Sequence, residues 1–259
     1  MTTNSNIYHC CVQKTASQWI KKILADRIVY KHCKMRVFDP GINFIDSFPH
    51  KSGLTKSFPA NTIISPLYIL YEDFTRIEKP SEYKSFYMMR DPRDILVSYY
   101  FSTRFSHAEN PYVLEKRNIL SKMVDKEALS YFINIINNEH KKMYYGMRTW
   151  CFAGEKDKNL LVCRYEDLTG RRQVDFFAKL FEHIGLRIPE EKTGDLLKKY
   201  RFKKLAKGRE RGMEDQKSHF RKGISGDWKN YFMEEHKKAF KDAAGKLLID
   251  LRYEKDMDW

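Results

Sequence analysis

The chain has 259 residues, 42% of them hydrophobic, and a formal net charge of +14; with no Gly/Ser/Pro-rich linker, repeat or low-complexity segment to divide it, residues 1–259 are expected to form one domain around a full core. No stretch approaches the ~18 apolar residues of a membrane span and the first residues lack an apolar signal core, while the five cysteines, odd in number and irregularly spaced, speak against a disulfide framework or a zinc site and for a reducing compartment. The expectation is a cytoplasmic protein without membrane or metal, whose excess of Lys and Arg suits a polyanionic ligand.

Residues 6–12, NIYHCCV, read as a first strand. Gln13, Lys14, Thr15, Ala16, Ser17, Gln18 and Trp19 follow. A helix then runs to about Arg27, with Trp19, Ile20, Ile23 and Leu24 on its apolar side. A strand, a short turn with a lysine and hydroxyls, then a helix make a phosphate cradle: the first helical amides point at the anion and the lysine neutralises it. The pattern GxxxxGK[ST] is absent, so this is not a Walker A loop. An alanine at position 16 costs conformational freedom if that residue needs positive φ. Residues 32–60 carry scattered Gly, Pro and Ser with weak periodicity and read as an irregular, pocket-shaping loop.

Ser85, Phe86, Tyr87, Met88 and Met89 form a short buried strand pattern. Asp91 and Pro92 then start a helix, with Pro92 at a tolerated first-turn position. Arg90 therefore ends a strand, and Ser98 lies about two turns into the helix. Residues 110–125 read as a loop. LLVCR at 160–164 is a further strand, leading into Tyr165-Glu166-Asp167-Leu168, and residues 173–184 and 190–200 are helical. Alternating strands and helices predict an α/β fold with a central, mostly parallel sheet flanked by helices. Residues 204–219 form a highly charged loop. In RKGISGDWKN, Arg221 offers a planar fork, Lys222 a point charge and Gly223 a bare amide, a compact clamp for one anion. Residues 234–251 read as a terminal helix with Phe240, Ala243, Leu247 and Leu251 on one apolar face.

Taken together, KTASQW, RDPRDILVSYY, YEDL, Phe202 and RKGISGDWKN resemble, in order, the motifs of the cytosolic-type sulfotransferases, as a divergent member. The resemblance spans roughly residues 6–230. It implies PAPS (3′-phosphoadenosine 5′-phosphosulfate) as donor and PAP as product. Lys14 falls on the lysine of the donor loop, and Thr15, Ser17 and Gln18 on its hydroxyl positions. Trp19 falls on the adenine-stacking tryptophan. Arg90, Ser98, Arg221, Lys222 and Gly223 fall on the groups that anchor the 3′-phosphate, and Tyr165 and Phe202 on those that approach the adenine. Gln13 replaces the usual Pro, Ala16 the usual Gly, and Tyr200 the Thr that reads the base edge.

The implied function is transfer of a sulfuryl group to a hydroxyl or amine of a small molecule, with secondary metabolites a fitting class. Sulfuryl transfer has a loose, in-line transition state like that of phosphoryl transfer, and Lys14 is the expected cation at the leaving oxygen. The catalytic His of the family's K-T-H-L-P segment is missing: the corresponding window, residues 61–68, contains neither His nor Lys. His50, Glu72, Asp73 and His107 are alternative bases, and Glu72 is preferred because it follows that window. Two other functions stay open: a nucleotide-dependent kinase, against which the missing Walker pattern counts, and a non-enzymatic basic polyanion- or nucleic-acid-binding protein. Nucleic acid is not an expected partner, since the singled-out basic residues cluster in phosphate-clamp motifs rather than among aromatics. Met233, Glu234 and Lys238 break the family's dimer segment, so a monomer, or a dimer through another surface, is expected.

Overall fold

The computed structural model describes residues 5–41, 43–45 and 57–259. They fall into two compact units, Met1–Arg90 with Tyr145–Tyr200, and Asp91–Tyr144 with Arg201–Trp259. Among the described residues no helix is long and apolar enough to cross a membrane.

The first unit is built on a five-stranded sheet. Its strands are β1 (Ser5–Cys11), β2 (Arg36–Phe38), β3 (Thr62–Tyr68), β4 (Glu82–Met89) and β5 (Leu160–Arg164). Their order is β2-β3-β1-β4-β5, and every neighbouring pair is parallel. The α/β fold and parallel sheet read from the sequence are therefore borne out. On β1 both strand faces are buried, which explains its continuous apolar run. One face packs Ile7, Cys11, Phe86 and Met88 against Ile20 and Ile23 of α1 (Ser17–Leu24) and Phe177 and Leu180 of α9 (Gln173–His183). On the other, Tyr87 stacks on Trp150 with centroids 4.9 Å apart, and Tyr8 meets Phe74 edge-on.

One expectation for this unit is corrected. The helix after β1 does not continue to Arg27. It ends at Leu24, and Asp26 caps a separate α2 (Arg27–Cys33) by accepting a hydrogen bond from the Ile28 amide at 2.8 Å. The strand β3 pairs Ile64 with Tyr8 but Leu67 with Cys10. Three steps on β3 thus match two on β1, a bulge that includes Ser65 and Pro66. Proline lacks the ladder N–H, so an interior strand accommodates it at such an irregularity.

The second unit is helical. It contains α4 (Pro92–Phe101) with a π-helical turn over Ser102–Ser106, α5 (Pro111–Leu120), α6 (Asp125–Asn138), α11 (Phe202–Leu205), a 3₁₀ turn over Asp227–Asn230 and α12 (Glu234–Asp250). The helix α7 (Lys141–Gly154) passes from this unit into the first. Residues 110–125, expected as a loop, contain α5 instead. Asn110 accepts the Val113 amide at 2.9 Å and Pro111 occupies the first helical position, which together start the helix. The buried face of α12 also shifts. Ala244 has non-helical φ/ψ (−150°, 16°). Past this kink Ala244, Leu248 and Leu251 are buried, while Ala243 and Leu247 are only half-buried.

Candidate functional site

In the first unit the loop between β1 and α1 leaves the carboxyl edge of the sheet, where ligands of open α/β sheets bind. Lys14 and Ala16 both hold positive φ, 66° and 65°. The Thr15 hydroxyl turns back to donate to the Val12 carbonyl at 2.8 Å, so this side chain braces the loop. At the start of α1 the cap is Ala16, which offers no side-chain acceptor. The Trp19 amide donates to the Ala16 carbonyl at 3.0 Å, so an anion from outside would meet the amides of Ser17 and Gln18. Ser17 Oγ lies 2.7 Å from Tyr68 Oη, and the Gln18 side chain hydrogen-bonds the same phenol. Burial pushes the Tyr68 pKa up to about 12.

Trp19 is pinned beside this loop. Its Nε1 donates to the Tyr200 carbonyl at 3.0 Å, and its ring meets Phe177 edge-on at 5.6 Å. The Tyr200 hydroxyl donates to Asp26, which Lys199 also engages. Tyr200 thus supports the indole through its backbone. Arg90, 9% exposed, closes the group from β4. Its Nη1 donates to the Lys14 carbonyl at 3.4 Å, and its guanidinium stands 4.5 Å from the Tyr165 ring at the start of α8 (Tyr165–Thr169). Lys14, Thr15, Ala16, Ser17, Gln18, Trp19, Arg90 and Tyr165 are therefore drawn together as the sequence suggested. Glu72 is exposed on the first turn of α3 (Tyr71–Arg76), and the adjacent Asp73 is buried with Arg76 Nη1 at 3.5 Å. His50 lies outside the described residues.

The second unit holds Ser98, half-buried on α4, together with Phe202, Arg221, Lys222 and Gly223. Asp227, 1% exposed, gathers the clamp. Arg221 Nη2 and Lys222 Nζ both donate to its carboxylate, the latter at 2.7 Å. Burial works against both charges. The pairing outweighs it, lowering the Asp227 pKa and raising that of Arg221. Arg221 also donates to Glu214 and lies over the Phe101 ring at 4.4 Å. Gly223 has φ +72°, and a Cβ there would stand 2.3 Å from the Phe202 ring. Only glycine lets the clamp backbone approach that ring. The Arg209 guanidinium sits 5.3 Å from the other partner of this contact, the Phe202 ring, and donates to the carbonyls of Phe220 and Arg221. Arg211 donates to the Gly223 carbonyl. The charged segment 204–219 is in this way tied to the clamp.

Asp94 fixes the clamp from α4. Its carboxylate accepts from the Gly226 amide at 2.8 Å and the Trp228 amide at 3.0 Å. Arg93 pairs with Asp91 at 2.7 Å and Glu254 at 2.6 Å, between the Trp228 and Trp259 rings. The sequence reading assigned no role to Asp94, Asp227, Arg209 or Tyr68. A signal was present for Asp94, which sits one turn into a motif already singled out.

A family model described as sulfotransferase domain matches residues 10–252, through both units. The chain is 30% identical over 164 residues to 3-beta-hydroxysteroid sulfotransferase of Cavia porcellus, covering 59% of the chain and 51% of that relative. It is 28% identical over 196 residues to flavonol 3-sulfotransferase of Flaveria bidentis, covering 68% and 58%. The chain thus spans little more than half the length of these relatives. Its fold is similar to that of mouse sulfotransferase SULT7A1 complexed with PAP, with TM-score 0.66, 18% identity, and 94% of this chain and 84% of that one covered. Retinol dehydratase in complex with androsterone and inactive cofactor PAP has TM-score 0.62 and 17% identity, with 94% and 80% covered.

Proposed function

Because the chain belongs to the sulfotransferase domain family, we propose that it is a PAPS-dependent sulfotransferase and that residues 1–259 act as one domain. The observation that carries this reading is the Arg90 guanidinium, held between the Lys14 carbonyl and the Tyr165 ring. It joins the cationic loop to an aromatic face, as a phosphorylated adenine nucleotide requires. In the first unit a lysine, a serine hydroxyl and a helix start without a side-chain cap suit the 5′-phosphate of that group, and the Arg-Lys-Gly clamp of the second unit is of the kind that holds a further phosphate. When bound, PAPS supplies the sulfuryl group.

The chain's own residues then divide the work. Lys14 places a cation at the 5′-phosphate, where negative charge grows as the bond to sulfur loosens, so its effect falls on the transition state. Ser17 and Gln18 hold that phosphate together with the first amides of α1. Trp19, Tyr165 and Phe202 face the adenine. Arg90, Ser98, Arg221, Lys222 and Gly223 anchor the 3′-phosphate, which does not react, so their role is positioning. Glu72, exposed four residues beyond β3, is the proposed base for a hydroxyl or amine of a small-molecule acceptor such as a secondary metabolite. A cytoplasmic location goes with this reading, on the odd number and irregular spacing of the five cysteines. No partner beyond the acceptor is proposed.

Thermal unfolding with added ligand tests the reading. PAP should raise the midpoint, because a ligand specific for the native state stabilises it; ATP and a single-stranded oligonucleotide should do so far less. With PAPS and an acceptor that turns over, Lys14→Ala should lower kcat by roughly 10²–10³-fold, and Glu72→Gln should lower kcat while leaving PAP affinity intact. Stabilisation by ATP with none by PAP would favour a kinase, and by oligonucleotide alone a nucleic-acid-binding protein.

A further inference from the structure

Tyr68 ends β3, one strand away from the β1 loop. The bulge at Ser65 and Pro66 brings it opposite Cys11, the last residue of β1. Its backbone is held there by the Phe44 amide, which donates to the Tyr68 carbonyl at 2.9 Å. Its phenol reaches the Ser17 hydroxyl at 2.7 Å and hydrogen-bonds the Gln18 side chain. Both belong to the part of the loop assigned above to the 5′-phosphate.

A serine hydroxyl has one hydrogen to donate and lone pairs to accept with. If Ser17 gave its hydrogen to Tyr68, it would turn a lone pair toward any anion in the loop. If Tyr68 donates to Ser17, the serine hydrogen stays available for the anion. The second arrangement requires a phenol that keeps its proton. Burial holds the Tyr68 pKa at about 12, so the phenol remains a donor across the neutral range. An anion in the loop then aligns both bonds in one direction, from Tyr68 to Ser17 to phosphate, and each strengthens the other.

We propose that Tyr68 is a positioning residue of the donor site, orienting the Ser17 hydroxyl as a hydrogen-bond donor to the 5′-phosphate. This rests on the reading that the loop binds that phosphate. Tyr68 touches neither donor nor acceptor and acts through Ser17.

Equilibrium titration calorimetry with two nucleotides tests the proposal. The first is PAP. The second is adenosine 3′-phosphate, which has no 5′-phosphate. Tyr68→Phe keeps the ring and removes only the hydroxyl. It should weaken PAP binding by roughly three- to tenfold, the range for one neutral hydrogen bond, and leave adenosine 3′-phosphate unchanged. Ser17→Ala should weaken PAP at least as much. In the Ser17→Ala background the Tyr68→Phe change should add nothing, since its route is gone. A Tyr68→Phe protein that binds PAP like the wild type overturns the proposal. So does an undiminished effect in the Ser17→Ala background, or an equal loss for both nucleotides. The unfolding midpoint of ligand-free Tyr68→Phe reports whether the loop's fold is intact; a large fall would assign the hydroxyl to stability and overturn the positioning role. Failure of the wild type to bind PAP is a separate result, which removes the donor-site reading before any variant is compared.

Discussion

Ala16 carries the donor loop into α1 at φ 65°, ψ 29°, a left-handed conformation that costs a residue with a Cβ about 1–2 kcal/mol. Lys14 pays a similar cost at φ 66°, but there the side chain is needed as a cation. Strain of this kind persists where the surroundings hold it and the site uses it. At position 16 the methyl group neither caps nor donates, and only its partial packing against the core offsets the strain. Ala16→Gly should therefore stabilise the protein. The relief is partly cancelled by the greater freedom of glycine in the unfolded chain. A net gain of about 0.5–1 kcal/mol corresponds to a rise of roughly 1–3 °C in the unfolding midpoint for a chain of this size. PAP affinity should stay the same or improve. A lowered midpoint would show that the Ala16 methyl packs usefully in the loop.

At the level of elements, the second unit locks a loop to a helix. Asp94, on the first turn of α4, holds the Gly226 and Trp228 amides, and Asp227, between those two residues, holds Arg221 and Lys222. The clamp is thereby preorganised, although its cations must exchange part of their contact with Asp227 for an incoming phosphate. Gly223 joins this clamp to Phe202. A methyl group at 223 would meet the ring at 2.3 Å and would also have to sit at φ +72°. Gly223→Ala should move Phe202 off its place and so weaken PAP binding, while the left-handed conformation costs the fold about 1–2 kcal/mol with or without ligand. Calorimetric titration would check this, with circular dichroism confirming that the helices persist. Wild-type affinity in Gly223→Ala would mean that neither the bare backbone nor the Phe202 position matters for the nucleotide.

For the whole molecule, assembly turns on the N-terminus of α12. Met233 caps this helix, its amide donating to His236 Nδ1 at 3.0 Å, and its side chain is 53% exposed. Glu234 beside it pairs with Lys237 at 2.6 Å. An interface across this point would bury charge on an otherwise short apolar patch, which is costly unless fully compensated. Light scattering at micromolar concentration should accordingly find a monomer, or a dimer unaffected by Met233→Arg. A dimer that Met233→Arg dissociates would place the interface at this helix start.

By itself the sequence determined much of what contiguous residues carry. A strand, a left-handed turn and a helix start make a phosphate cradle wherever they occur, so KTASQW could be read in place. Arg90 at a strand end and the Arg221-Lys222-Gly223 clamp were legible for the same reason, and alternating strands and helices sufficed for the parallel sheet. The helix α5 was equally local, in its Asn110-Pro111 start, and was missed only because its interior periodicity is weak. Tertiary structure alone decided the partners of these groups. Tyr68 meets Ser17 across 51 positions of sequence, and Asp94 meets Gly226 across 132. The first contact depends on a β3 bulge that shifts strand register, which changes which side chain arrives at the loop. The kink at Ala244 likewise moved the buried face of α12 by one residue. Such contacts follow from packing among segments distant in the chain, and no local pattern of residue types encodes that packing.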